Sequence, residues 1–223
     1  TLLEARGLTR HFGGLKAVNG VDFALDEGEI HALIGPNGAG KTTFVSLLSG
    51  RIPAQSGTIR LRGRDITRLP AHARFRAGIA YTFQITQIYA ALTVFDNVAL
   101  AVQGRGGHPL AAQAMAALDR VGLADRAGQI AGTLSYGHQR VLEIAMGLAL
   151  APLLLILDEP TQGLAEGEIA TFKDIVRSVV PQTTVLLIEH DMDVVMGLAD
   201  RITVLNFGEV LATGTPAEIR ANP

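Results

Sequence analysis

The chain has 223 residues and no cysteine. That absence removes disulfide frameworks, thiolate metal sites and cysteine nucleophiles together, and it fits a reducing compartment, with the cytoplasm as the expected location. Basic residues are not in surplus: 19 Lys and Arg stand against 21 Asp and Glu, a formal net charge of -2. The basic excess or stripe that marks a nucleic-acid binder is therefore missing, and no acidic tail is present. No apolar run reaches the roughly 18 residues of a membrane span, and the N-terminus lacks a charged segment followed by an apolar run and a cleavage site. Internal repeats, low-complexity linkers and extended heptads are lacking too. What is plentiful is apolar: hydrophobic residues make up 48% of the chain, enough at this length to bury a sizeable core. The mean hydropathy of +0.29 is high for a free-standing soluble protein and is consistent with an alanine-rich core or a surface covered by a partner.

The early segments LLEARGLTRHF, VNGVDFALDEGE and IHALIGPNG alternate or run β-branched and end in turn residues, so they read as strands. SGTIRLRGRDI adds a short strand with a glycine turn, and the texture becomes helical at PAHARF. GRGG, residues 104 to 107, marks a loop, after which Met115, Leu118, Val121 and Gly122 fall at helix-compatible spacing. A helical lobe is expected over residues 86 to 150. LLLILDEP has the continuous apolar run of a fully buried parallel strand. EGEIATFKDIVRSVV then reads as an amphipathic helix and TTVLLIEHD as a second buried strand, an order that predicts a parallel sheet. The tail predicts a glycine-turned hairpin and the start of a helix.

GPNGAGKTT, residues 35 to 43, follows a predicted strand and opens a predicted helix, the context in which G-x-x-x-x-G-K-[ST] binds phosphate. Glycines at 35, 38 and 40 let the backbone curl so that successive N–H groups point inward, and the helix adds its positive end. Pro36, Asn37, Ala39 and Thr43 complete the loop; Lys41 supplies charge at the β- and γ-phosphates, and the Thr42 hydroxyl is a Mg²⁺ ligand. A carboxylate at the end of a neighbouring strand is also required, and LLLILDE supplies Asp158 for the metal. Glu159, the next residue, is placed to act as general base on water, which favours hydrolysis over phosphoryl transfer to a substrate as in a P-loop kinase.

With these motifs in order along nearly the whole chain, the sequence resembles the ATP-binding subunit of an ATP-binding cassette transporter. The resemblance places Phe12 of RHFGG under adenine, Gln84 of YTFQ in the glutamine loop at the metal and γ-phosphate, LSYGHQR at the family signature, TQGL at a dimer contact and His190 of IEHD as the switch histidine. It implies an α/β fold of P-loop NTPase type, with a mostly parallel sheet core, an antiparallel β subdomain and a helical subdomain. The nucleotide-binding core would take residues 1–85 and 151–223, and the signature would sit in the helical part at about 86–150. RHFGGLKAVNGV, LSYG and the stretch from EHDMDVVMGLAD to the end are similar to subunits of branched-chain amino-acid importers. Relatives that carry urea, aromatic compounds or other amides share much of this wording, and a lipopolysaccharide-export subunit is similar too. A soluble cassette switch that assembles other complexes is the alternative of a different class. The sequence given stops at ANP, where the resemblance implies a further helical turn or two.

In that family two subunits sandwich the nucleotides head to tail, and LSYGHQR of one reads the γ-phosphate on the other. Ser135, Gly137 and a helix expected to begin near Gln139 supply a hydroxyl, a close backbone N–H and a helix N-terminus. Val141, Leu142, Ile144, Ala145, Leu148 and Ala149 continue that helix as a broad buried face. Tyr136 is tolerated if its ring points away from the nucleotide. His138 replaces the glutamine usual there and retains a hydrogen-bond donor. The implied ligands are ATP and Mg²⁺. The implied partners are a second ATP-binding subunit, integral membrane permease subunits and a solute-binding protein, with no nucleic acid. The implied location is the cytoplasmic, inner face of the cell membrane. Glu189, beside His190, has no assigned role and is expected at the surface or capping a helix.

Overall fold

Alternating strands and continuous apolar strands build two different sheets. The computed structural model describes residues 1–82, 88–105, 110–180 and 182–221. β1 (Leu3–Phe12) and β2 (Leu15–Leu25) form an antiparallel hairpin in which buried and exposed residues alternate. β3 (Ile30–Ile34) is buried at every residue and leads into α1 (Lys41–Ser49). The stretch SGTIRLRGRDI folds as a hairpin, not a lone strand: β4 (Ser56–Leu61) and β5 (Arg64–Asp65) flank a turn through Arg62 and Gly63, both with positive φ. These four antiparallel strands make one sheet in the order β2-β1-β4-β5.

After α2 (Ala71–Arg76) and β6 (Ile79–Thr82), the chain forms α3 (Val94–Arg105), α4 (Leu110–Arg120) and α5 (Tyr136–Leu148), which pack on one another. Two expectations change here. α3 extends through Gly104 and Arg105, so GRGG does not begin as a loop. α4 stops at Arg120 with Gly122 at φ +73, and Met115 faces outward. Leu118 and Val121 are buried as expected, but Val121 lies past the helix end.

β7 (Leu154–Asp158), α6 (Glu166–Val179) and β8 (Thr184–Ile188) form the expected strand-helix-strand unit, with both strands buried throughout and paired in parallel. α7 (Met192–Leu198), β9 (Arg201–Asn206), β10 (Glu209–Gly214) and α8 (Pro216–Ala221) finish the chain. The second sheet runs β10-β9-β3-β8-β7-β6 and is parallel apart from its β10 edge.

Burial on both faces explains the unbroken apolar strands. Successive side chains of a strand point to opposite faces. Leu155 and Leu157 of β7 and Val185 and Leu187 of β8 therefore join the core shared with α3 to α6, while Leu154, Ile156, Leu186 and Ile188 join the core around α1. The second core also holds Leu3, Leu8, Val21 and Ile59 of the antiparallel sheet, so α1 is wedged between the two sheets. Arg74, 1% exposed, ties this wedge down: its guanidinium donates to the carbonyls of Leu47 and Leu48 at the end of α1 and to those of Thr67 and Leu69. Burial lowers its pKa to about 10, still far above neutrality, so the guanidinium stays charged.

Candidate active site

Because β3, β8 and β7 are adjacent and parallel, their carboxyl ends open at one edge of the sheet, the place where open α/β sheets bind ligands. β3 delivers the loop of residues 35 to 40, β7 delivers Asp158 and Glu159, and β8 delivers Glu189 and His190.

The glycines of the loop serve different ends. Gly35 (φ +149) and Gly40 (φ +102) sit where a Cβ would lie 2.2 Å from the Leu205 carbonyl oxygen and 2.1 Å from that of Ala17, so neighbouring backbone fills the space. Gly38 (φ +80) has open space around it and is needed only for its backbone angle. The β9–β10 turn closes on the loop: Gly208 N–H donates to the Ala39 carbonyl, and Asn19 N–H to the Gly208 carbonyl. No side chain caps the first turn of α1, whose N-cap is Gly40, which leaves the helix end suited to an anion. The Lys41 ammonium folds back to donate to the carbonyls of Gly35 at 2.6 Å and Pro36 at 3.1 Å. Burial lowers the Lys41 pKa, and the charges of Glu159 and Asp158 oppose that shift. Thr42 is exposed, and Thr43 is partly exposed.

Asp158 is buried, and its pKa is raised first by burial and further by Glu159; the hydrogen bond from Tyr81 and the charges of Arg51 and Lys41 act the other way. The Tyr81 hydroxyl donates to Asp158 Oδ2 at 2.6 Å. Glu159 adopts φ +47, a left-handed angle that is strained for a residue with a Cβ. Its N–H donates to the Ile188 carbonyl of β8 at 2.9 Å, which holds the turn. Across the gap, Glu159 Oε1 and His190 Nδ1 lie 3.9 Å apart. Lys41, Asp158, Glu159 and His190 are thus brought together. A carboxylate at a strand end and a hydroxyl on the phosphate loop, with the remaining positions left to phosphate and water, are the kind of oxygen donors that Mg²⁺ uses. Among the described residues no cluster of three or more His, Asp or Glu forms a closed metal cage.

Phe12 ends β1, 45% exposed, with the Arg10 guanidinium 4.9 Å above its ring. Gln84 lies outside the described residues. The signature residues sit elsewhere: their partners are in α5 and in residues 163–168. The helix starts at Tyr136, three residues earlier than expected, because Ser135 is a working N-cap, its Oγ accepting from His138 N–H at 3.3 Å. Ser135 Oγ also bonds His138 Nδ1 at 2.8 Å. Gly137 is buried where a Cβ would meet Glu168 Oε1 at 2.3 Å. The Tyr136 ring lies against Gly163 of the TQGL loop, with the Arg140 guanidinium 5.4 Å from it. Val141, Leu142, Ile144, Ala145, Leu148 and Ala149 are buried as expected.

Glu189 corrects the sequence reading. It is 1% exposed and neither at the surface nor a helix cap. Oε1 accepts from Thr161 N–H at 3.0 Å and from the Thr161 hydroxyl; Oε2 accepts from His190 N–H at 3.1 Å and Asp191 N–H at 3.4 Å. It therefore joins the segment bearing His190 to the loop that follows Glu159. The position just past a buried strand, matched by Glu159 after β7, was the available signal. Tyr81 had none.

The sequence matches the family described as ABC transporter over residues 18–162. The high-affinity branched-chain amino acid transport ATP-binding protein BraF of Pseudomonas aeruginosa is 40% identical over 241 aligned residues, covering 100% of this chain and 94% of that protein. LivG of Salmonella typhimurium, which bears the same description, is 42% identical with the same coverage. Among solved structures, a nucleotide-free ATP-binding cassette from an ABC transporter superposes with a TM-score of 0.91 at 27% identity, covering 100% of this chain and 96% of that one. The ADP conformation of the cassette MJ1267 gives 0.92 at 27% identity, covering 100% and 95%.

Proposed function

The chain belongs to the ABC transporter family as an ATP-binding subunit, an ATPase, and from that premise we propose that it powers import of branched-chain amino acids or related small polar solutes by ATP-driven head-to-tail dimerisation. The observation that carries the catalytic half is the meeting of Lys41, Asp158, Glu159 and His190 at the ends of three adjacent parallel strands. In this reading the backbone N–H groups of residues 35 to 43 cradle the phosphates, Lys41 exchanges its loop carbonyls for the β- and γ-phosphate oxygens, and Phe12 stacks on adenine. Thr42 and Asp158, with Gln84, would hold Mg²⁺. Mg²⁺, when bound, neutralises charge on the β- and γ-oxygens. Glu159 takes a proton from a water whose oxygen attacks the γ-phosphorus as the bond to the bridging oxygen breaks and ADP leaves. His190 and Gln84 complete the γ-phosphate environment.

The second half of the site comes from a partner copy or homologue. Ser135, Gly137 and His138 at the α5 N-terminus are offered to the opposite nucleotide, since they do not engage their own phosphate loop. We assign residues 1–85 and 151–223 to the nucleotide-binding core and about 86–150 to a helical subdomain. A cavity of about 260 Å³ lined by Phe75, Tyr81, Thr82, Tyr89, Met146 and Leu150 lies between the end of β6 and the end of α5, and we assign docking of membrane permease subunits to this face. Among the described residues no helix is long and apolar enough to cross a membrane, in keeping with a peripheral subunit on the cytoplasmic face. The amino-acid cargo and a solute-binding protein rest on the names of the relatives.

The test is gel filtration of Glu159→Gln with and without Mg-ATP, beside Glu159→Gln/Ser135→Arg. An ATP-dependent dimer lost in the double variant is expected; no dimer, or a dimer that survives Ser135→Arg, counts against the sandwich. Co-purification with a permease from native membranes, and not with a soluble complex, tests the transport role.

A further inference from the structure

Tyr81 stands at the second-to-last residue of β6, beside the end of β7, with its ring partly exposed and its hydroxyl directed at Asp158 Oδ2, 2.6 Å away. The Arg51 guanidinium, just past the C-cap of α1, lies 5.2 Å from the ring centre. The end of β6, the end of β7 and the segment that follows α1 thus meet through one side chain. Of the two Asp158 oxygens, Oδ2 is committed to the phenol. A carboxylate gripped at one oxygen can turn about far fewer axes than one held by burial alone, and the groups behind a metal ligand fix its orientation.

We propose that Tyr81 is a positioning residue for Asp158, fixing the carboxylate so that its other oxygen faces the metal, with Arg51 fixing the Tyr81 ring in turn. The inference rests on the reading that Asp158 helps to hold Mg²⁺. In this bond the Tyr81 hydroxyl is the donor and Asp158 Oδ2 the acceptor. Tyr81→Phe removes the hydroxyl, and with it the bond to Asp158 and the hydroxyl's contact with Arg51, while the ring stays beneath Arg51 and in the wall of the adjoining cavity.

The experiment is a Mn²⁺ titration of the full chain saturated with a non-hydrolysable ATP analogue, read from the fall of the free-ion paramagnetic signal. Wild type, Tyr81→Phe, Asp158→Asn and the double variant are compared, and affinity for the analogue in EDTA serves as the check on folding. Tyr81→Phe is expected to weaken Mn²⁺ binding about tenfold with unchanged affinity in EDTA. Asp158→Asn is expected to weaken it at least as much, and the double variant no further than Asp158→Asn alone. A Tyr81→Phe protein that titrates like wild type while Asp158→Asn is weakened overturns the inference and leaves the Asp158 reading intact, as does a double variant in which the two losses multiply. If Asp158→Asn itself titrates like wild type, the metal reading of Asp158 fails and takes this inference with it.

Discussion

Replacing Glu189 tests whether the buried carboxylate couples the His190 segment to the Thr161 loop. Its oxygens receive three backbone N–H groups and one hydroxyl in a site closed to solvent. Bonds to a charged acceptor contribute about 1.5–3 kcal/mol each when well formed, although the 3.4 Å bond from Asp191 is long and adds less. Glu189→Gln keeps the shape but offers only one oxygen. With that oxygen kept toward His190, the amide NH₂ faces Thr161; the hydroxyl can rotate to accept, whereas Thr161 N–H loses its acceptor. Relief of the charge's desolvation offsets part of the loss, leaving a net cost of about 2–3 kcal/mol. For a chain of this size that lowers the melting temperature by about 5–10 °C. Glu189→Ala strands every donor and should cost about 3–5 kcal/mol. Urea unfolding followed by two probes gives these values, and a cycle with Thr161→Val should show about 1–2 kcal/mol of coupling. In turnover, the loss should fall on kcat and spare ATP affinity, because Glu189 orders the backbone of His190 and does not face the phosphate loop. A Gln variant within about 0.5 kcal/mol of wild type, or purely additive energies in the cycle, refutes the argument.

Gly38→Ala meets only an unfavourable backbone angle and should cost about 1–2 kcal/mol, whereas Gly40→Ala drives its Cβ into the Ala17 carbonyl and should abolish the folded loop; melting temperatures and nucleotide affinity separate the two. Since burial raises the Asp158 pKa, its charge opposes folding in full above that raised pKa, and the penalty disappears as the pH falls toward the ordinary carboxylate range. Asp158→Asn should therefore melt higher than wild type near pH 7.5 without ligand, with the gap narrowing toward pH 4.5; a gap independent of pH rules out the desolvated charge as its cause.

The parts of this site that could be read from sequence share a physical reason: each is coded by neighbours along the chain. GPNGAGKTT specifies its own curl, and LLLILDE carries the buried strand together with the carboxylates at its end, so the phosphate loop, Asp158 and Glu159 follow from local pattern. The same holds for α6 between β7 and β8, where the period shifts from continuous to helical within a few residues. What escaped was set by contacts distant in sequence. Tyr81 reaches Asp158 across 77 positions, and Glu189 reaches Thr161 across 28. Arg74, in a short surface-textured helix, finds its carbonyls 26 and 27 positions back, at the end of α1. A tyrosine, a glutamate and an arginine in such places look like solvated side chains until the sheet order is known. Once β6, β7 and β8 are adjacent and α1 is wedged beneath them, the polar groups arriving at one edge must find partners there or remain buried without one. The α5 start moved for a smaller version of the same reason. The expected start near Gln139 counted from the apolar face, while Ser135 caps the helix through His138 N–H and brings Tyr136 and Gly137 into its first turn. That earlier start seats Gly137 against Glu168 and the Tyr136 ring on Gly163, so the bulky ring inside the signature is accommodated by a glycine of the TQGL loop.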